Sequence, residues 1–162
     1  MNLRFLAALT LVYALASPAM AASDGTEPDP VLTPGAVETQ DIDIICHHKT
    51  GERRHATAIE KSAVYTAYHL AGRHDGFCAG PRGCDLDDRV PIECGGSNEP
   101  KNLWPQRGSG PYNQVQKNKL EGLCHRLVCA GTITPAEGQA WFLGDWKTEY
   151  DRRFGAPQAA AH

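Results

Sequence analysis

Residues 84–106 read CDLDDRVPIECGGSNEPKNLWPQ, and a long periodic stretch opens soon after, at Tyr112. Two short strand-like pieces, Cys84–Asp88 and Leu103–Gln106, flank a segment dense in Gly, Pro and Cys. Clusters of that kind punctuate regular structure and mark loop backbone, and short runs bounded by them read as strands. The stretch from Tyr112 to Cys129 has helical periodicity and is closed by Gly131, a C-terminal stop signal. Strand, long loop, strand, helix is the outline of a ββα unit in an α+β chain.

Further helices are expected on either side. Glu60–Ala71 carries Val64, Tyr65, Tyr68 and Leu70 and ends before Gly72. A third helix starts with Thr134 as N-cap, Pro135 at the first helical position and Glu137 completing a capping box. It runs on through Trp141, Phe142, Trp146 and Tyr150, aromatics assigned to the core. On a wheel of 100° per residue over the second helix, Leu120, Leu123, Cys124, Leu127 and Val128 share one apolar face. His125 lies at its edge, and Cys129 points 140° away from Cys124.

Six cysteines in a chain with an export signal read as a three-bridge framework. Cys124 and Cys129 diverge on their helix and do not pair with each other. Cys124 faces the core and is paired with Cys94, Cys78 and Cys84 close a short loop, and Cys46 is left for Cys129. Zinc ligation around Cys124, His125 and Cys129 is the rival, but no C-x-x-C pair supports it.

The ends differ in character from this centre. Arg4, the apolar run Phe5–Ala16 and Ala19-Met20-Ala21 form a signal peptide over residues 1–21, too short to span a bilayer. Residues 22–43, rich in Pro and acid, read as a disordered leader; they hold six of the 19 Asp and Glu and no Lys or Arg. From Ile44 onward 15 Lys and Arg meet 13 Asp and Glu, so the domain at 44–155 is mildly basic, followed by a flexible tail at 156–162. No stable membrane insertion is expected after signal removal. The protein is expected in the periplasm or the medium.

The blocks VPIECGGSN and NLWPQ, followed by KNKLEGLCHRLVC from Lys117, resemble the small exported HNH-type endonucleases of bacteria, over about Ile45 to Tyr150. The resemblance implies a disulfide-stapled ββα-metal fold with additional packed helices. It also implies sequence-nonspecific hydrolysis of DNA or RNA with one divalent ion, Mg²⁺ or Zn²⁺. Phosphodiester cleavage needs a positioned base to activate water and a cation to neutralise the developing charge. Asp87 matches the family's metal-binding aspartate, His125 the metal ligand on the helix, and Asn102 the asparagine that orients the base.

Two positions depart from the pattern. Asp88 stands where the family keeps its catalytic histidine, and Asn118 where an aspartate is usual. With an ordinary pKa near 3.9 against about 6.5 for imidazole, Asp88 is the weaker base near neutrality. Arg89, Lys101, Arg107, Lys117, Lys119 and Arg126 lie in or beside the motif as candidate clamps on a phosphate backbone. The expectation is a weakened nuclease. The alternatives are an inactive pseudo-nuclease that binds metal or polyanion, and an envelope interaction module on the same scaffold.

Overall fold

The computed structural model describes residues 23–158. The expected signal peptide at 1–21 and residues 159–162 of the expected tail lie outside them. The described chain is mixed α+β, with six α-helices and one two-stranded antiparallel sheet. In order these are α1 (Ile42–His47), α2 (Thr50–Arg53), α3 (Ala58–Ala67), β1 (Cys84–Asp88), β2 (Leu103–Arg107), α4 (Gln114–Cys129), α5 (Pro135–Leu143) and α6 (Trp146–Phe154).

The hairpin and the long helix fall where the sequence puts them. β1 pairs with β2 so that Asp87 lies opposite Trp104 and Asp88 opposite Leu103. Helix α4 begins at Gln114 because Asn113 and Gln116 form a capping box. Helix α3 starts two residues before the expected Glu60, since Thr57 caps it and Glu60 returns the hydrogen bond. The single helix expected from Thr134 is instead two. Gly144 leaves helical geometry, and the Asp145 carboxylate accepts from the N–H groups of Lys147 and Thr148 to start α6.

Two apolar clusters flank the sheet and its loop. One gathers Ile45, Val90, Leu120, Val128, Phe142 and Trp146 around the Cys94–Cys124 pair. The other gathers Val64, Tyr68, Leu70, Leu103 and Trp104 around Cys78 and Cys84. The cysteines pair as expected from the sequence: Cys46 with Cys129, Cys78 with Cys84 and Cys94 with Cys124, at Cα separations of 5.6, 4.9 and 6.5 Å. Three such pairs are consistent with an oxidising, exported environment. No helix among the described residues is long and apolar enough to cross a membrane.

The largest correction concerns the leader. Residues 23–39 are not a free tail; they lace along the hairpin and its loop. Arg107 N–H donates to the Gly25 carbonyl at 3.0 Å, Gly35 N–H to Lys101 at 3.0 Å, and Glu38 N–H to Gly95 at 2.8 Å. Trp146 Nε1 donates to Thr26 O at 3.0 Å, and Thr33 Oγ1 to Leu103 O at 2.9 Å. Composition forecasts disorder because few apolar side chains are present; here backbone groups make the attachment instead.

Tight backbone approach also explains the Gly-Gly pair. Gly95 ends a short 3₁₀ turn at φ 91°, and a Cβ there would meet Thr39 O at 2.2 Å. A Cβ on Gly96 would stand 1.8 Å from Val90 O. Neither carbonyl can withdraw without opening the loop.

Removal of a native disulfide from a small exported domain typically costs ~2–5 kcal/mol. Reduction of the folded protein is therefore expected to lower its melting temperature sharply in a calorimetric scan. A melt that stays in place in excess reductant would show that the bridges carry no stability.

Candidate functional site

Successive residues of a strand point to opposite faces, and β1 uses this to separate its two acids. Asp87 turns toward α4, where its Oδ2 lies 3.2 Å from Lys117 Nζ. Asp88 turns the other way, onto a cleft of about 100 Å³ walled by Leu86 and Leu103 and edged by Arg54, Lys61 and Asn98. Arg54 Nη2 approaches Asp88 Oδ2 at 3.4 Å.

On the first face the arrangement is an internal ion cluster. Lys117 is 1% exposed, and its ammonium donates to both Asp87 and Glu121, one helical turn on. The Phe142 ring lies 5.7 Å from the same nitrogen. Burial alone would lower the lysine's pKa, but Asp87 and Glu121 outweigh it and hold the group above its ordinary value. Burial pushes the Glu121 carboxyl upward, and Lys117 offsets this only in part. Lys117 is thus not the phosphate clamp expected of it. The helical wheel had the signal: Lys117, Leu120, Glu121, Cys124 and Val128 are spaced i, i+3, i+4, i+7 and i+11, and these are the buried residues of α4.

On the second face, burial raises Asp88 to about 7, with the neighbouring charge of Asp87 adding to the effect. Arg54 and Lys117 pull the other way. The guanidinium of Arg54 is 52% exposed and well hydrated, so it compensates only weakly. The Asp88 carboxyl thereby titrates in the range usual for an imidazole. The expectation of an ordinary, fully ionised aspartate does not hold. Glu93, beside it, is also raised by burial, against the pull of His125, Arg54 and Lys117.

Asn102 is fully buried and serves the loop. Its Oδ1 accepts from Val90 N at 2.9 Å and Ala36 N at 3.1 Å. Its Nδ2 donates to Val90 O at 2.9 Å and Ser97 O at 2.7 Å. Both donors and both acceptor positions of the amide are occupied, so none is left to orient a catalytic group on β1. Trp104 and Gln106 of the same block are equally buried. The motif that carries the resemblance is, in this chain, mostly a packing and loop-closing device.

The donor set implied for a divalent ion does not fit one. Asp87 Oδ1 accepts from Asp88 N at 2.8 Å and Oδ2 from Lys117, so a fixed ammonium already stands on the carboxylate. His125 is half-buried, with Nε2 3.2 Å from the Ile45 carbonyl. Among the described residues no three His, Cys, Asp or Glu gather in a metal-binding arrangement.

The other candidate cations divide in two groups. Arg89 is a strut, donating to the carbonyls of Thr33, Phe142 and Leu143 at 2.8, 3.3 and 2.6 Å. Its guanidinium is engaged by the fold, which corrects its assignment to phosphate. Arg107 is half-buried along Gly110. Lys101 is exposed and paired with Glu99 at 2.7 Å, Lys119 lies 4.0 Å over the Phe154 ring, and Arg126 is exposed. Arg54 and Lys61 at the Asp88 cleft escaped sequence reading because they precede the motif by a long chain segment.

No family model, no curated protein and no solved structure matches this chain.

The Asp88 shift has a consequence for stability. The unfolded chain releases this proton near 3.8, and the folded protein holds it to about 7. Folding therefore takes up a proton in that window, and stability falls as pH rises through it. Three units correspond to on the order of 4 kcal/mol at most. Asp88→Asn is expected to remove this decline, so that its melting temperature gains on wild type between about pH 4 and pH 7. A difference that is constant across that range would show that Asp88 titrates normally.

Proposed function

We propose that the protein is an exported, disulfide-stapled domain of the HNH type that has lost turnover and binds phosphate polyanions through cations around the Asp88 cleft. The observation that carries this reading is the engagement of Asp87. The carboxylate required to hold a catalytic ion is held by Lys117 and by the Asp88 backbone. Three further features support it. Asn102 has no hydrogen-bonding capacity to spare, His125 bonds a backbone carbonyl, and the base is a carboxyl. The hairpin followed by α4 supplies the ββα outline, and the motif spacing supplies the resemblance to the family.

The binding half of the reading rests on charge placement. Arg54 and Lys61 edge a cleft at the position where the family's scissile phosphate is expected to approach. Lys119 and Arg126 are exposed on the following helix. Contacts of this kind hold a phosphate backbone without reading its sequence, and their strength falls with salt.

A second reading, a weakened but active nuclease, is favoured by one observation. The pKa of about 7 at Asp88 suits a general base working near neutrality. The two readings part in a nicking assay on the oxidised mature protein, with Mg²⁺, Mn²⁺, Ca²⁺ and Zn²⁺ supplied separately. The silent reading expects no cleavage above background with any ion, and none in Asp88→His, since restoring an imidazole leaves Asp87 on Lys117. Cleavage by wild type that Asp88→Asn abolishes would establish the second reading. Cleavage by Asp88→His alone would show that only the base had been lost.

Binding is checked by fluorescence anisotropy with labelled DNA and RNA over a salt series. Arg54→Ala and Lys61→Ala are each expected to weaken binding uniformly across sequences and to reduce the salt slope by about one. Wild-type protein that binds neither polymer at low salt would leave only the interaction-scaffold reading.

A further inference from the structure

Between β1 and α4 two carboxylates converge on a single positive charge from within the chain. Asp87 reaches it from the hairpin and Glu121 from the helix, and Lys117 supplies it from one turn earlier on that helix. The lysine is 1% exposed and the two acids are nearly as deeply buried. Taking such charges out of water is costly, and the cost is recovered only when geometry and hydrogen bonding are good. Here the ammonium donates to both carboxylates.

More acid than base faces this point. Asp88 and Glu93 also act on Lys117 or on its partners, and these two acids face Arg54 and the His125 ring in turn. A hydrolase of this outline would place a divalent ion against Asp87. The Lys117 ammonium stands against the same carboxylate, 3.2 Å from its Oδ2.

We propose that Lys117 is the resident cation of this site: its ammonium occupies the position between Asp87 and Glu121 that a divalent ion would otherwise fill. This inference rests on the reading that Asp87 does not serve a metal centre. It makes Lys117 a positioning residue that ties the hairpin to the helix. It follows that the cage, deprived of the ammonium, should accept an oxygen-seeking divalent ion. Carboxylate oxygens suit Mn²⁺ and Ca²⁺, and truncation of the lysine leaves two anionic groups facing a cavity.

The test is calorimetric titration of the full oxidised protein with Mn²⁺, Ca²⁺ and Zn²⁺ separately, alongside thermal melts with and without each ion. Wild type, Lys117→Ala, Lys117→Met and the double variant Lys117→Ala with Asp87→Asn are compared. Wild type is expected to show no ion bound at this site and an unmoved melt. Lys117→Ala is expected to melt lower, to bind one Mn²⁺ or Ca²⁺ per chain at least ~10-fold tighter than wild type, and to regain melting temperature when it does. Asp87→Asn in the same chain should abolish that recovery, which a merely structural lysine would not foretell. Lys117→Met, whose apolar side chain fills the space, should lose stability and gain nothing from ions.

If Lys117→Ala is unfolded alone, recovery of its far-ultraviolet circular dichroism on adding Mn²⁺ or Ca²⁺ supports the proposal. An unfolded chain indifferent to every ion overturns it, as does a folded one that binds none. One ion bound by wild type and lost in Asp87→Asn would also overturn it, because the metal would then coexist with the lysine. Nicking by wild type with no ion bound at Asp87 would instead remove the silent-fold reading and leave the resident-cation assignment in place.

Discussion

One buried ammonium joins the hairpin to the long helix by charge. Lys117 carries that link between Asp87 of β1 and Glu121 of α4, with the Phe142 ring 5.7 Å from its nitrogen. Removing one partner of such a group leaves an uncompensated charge in the interior, typically at a cost of ~3–5 kcal/mol. That constraint decides what the site can hold. A carboxylate committed to an internal cation is a poor ligand for an external one, so the packing solution and the catalytic solution compete for Asp87.

The loop between the strands is organised by a second polar hub. Asn102 bonds backbone groups of Val90 and Ser97, and reaches across to Ala36 in the leader. Gly95 and Gly96 let the chain pass within van der Waals contact of Thr39 and Val90. The sequence signature of this region therefore has a sufficient cause in folding alone. A Gly-Gly-Ser-Asn block followed by Asn-Leu-Trp-Pro-Gln closes this loop whether or not chemistry is performed beside it. That is why the motif is a good guide to local structure here.

Legibility in the sequence followed the same divide. The hairpin, α4 and the cysteine pairing were readable because they rest on periodicity, turn residues and the angular position of Cys124 and Cys129 on one helix. The leader was not, because its attachment uses carbonyls and N–H groups of Gly25, Thr33, Gly35 and Glu38, and every residue type carries those. The short helices α1 and α2 lacked the length that makes a period visible. In the site, Asp87, Asp88 and His125 could be named, but not what each would touch. Lys117 was misassigned because a lysine in a motif reads as solvated charge unless its i, i+4 partner is placed on the buried stripe with it.

Set against the pattern that the motif resembles, an aspartate at position 88 reads in the sequence as the lack of a base. Burial alters that judgement, because the carboxyl in its cleft titrates at about 7, where an imidazole ordinarily does. Proton affinity alone therefore does not distinguish this carboxyl from an imidazole. The charge states differ in sign: deprotonation leaves the carboxyl anionic and the imidazole neutral. An anion facing the cleft repels phosphate when it is competent to accept a proton, and ceases to repel only when it is not. Arg54 and Lys61 at the rim relieve that repulsion from solvent, where charge is cheaply screened. On the polyanion-binding proposal, such a site would hold a phosphate best when Asp88 is protonated, which is the state in which it cannot act as a base.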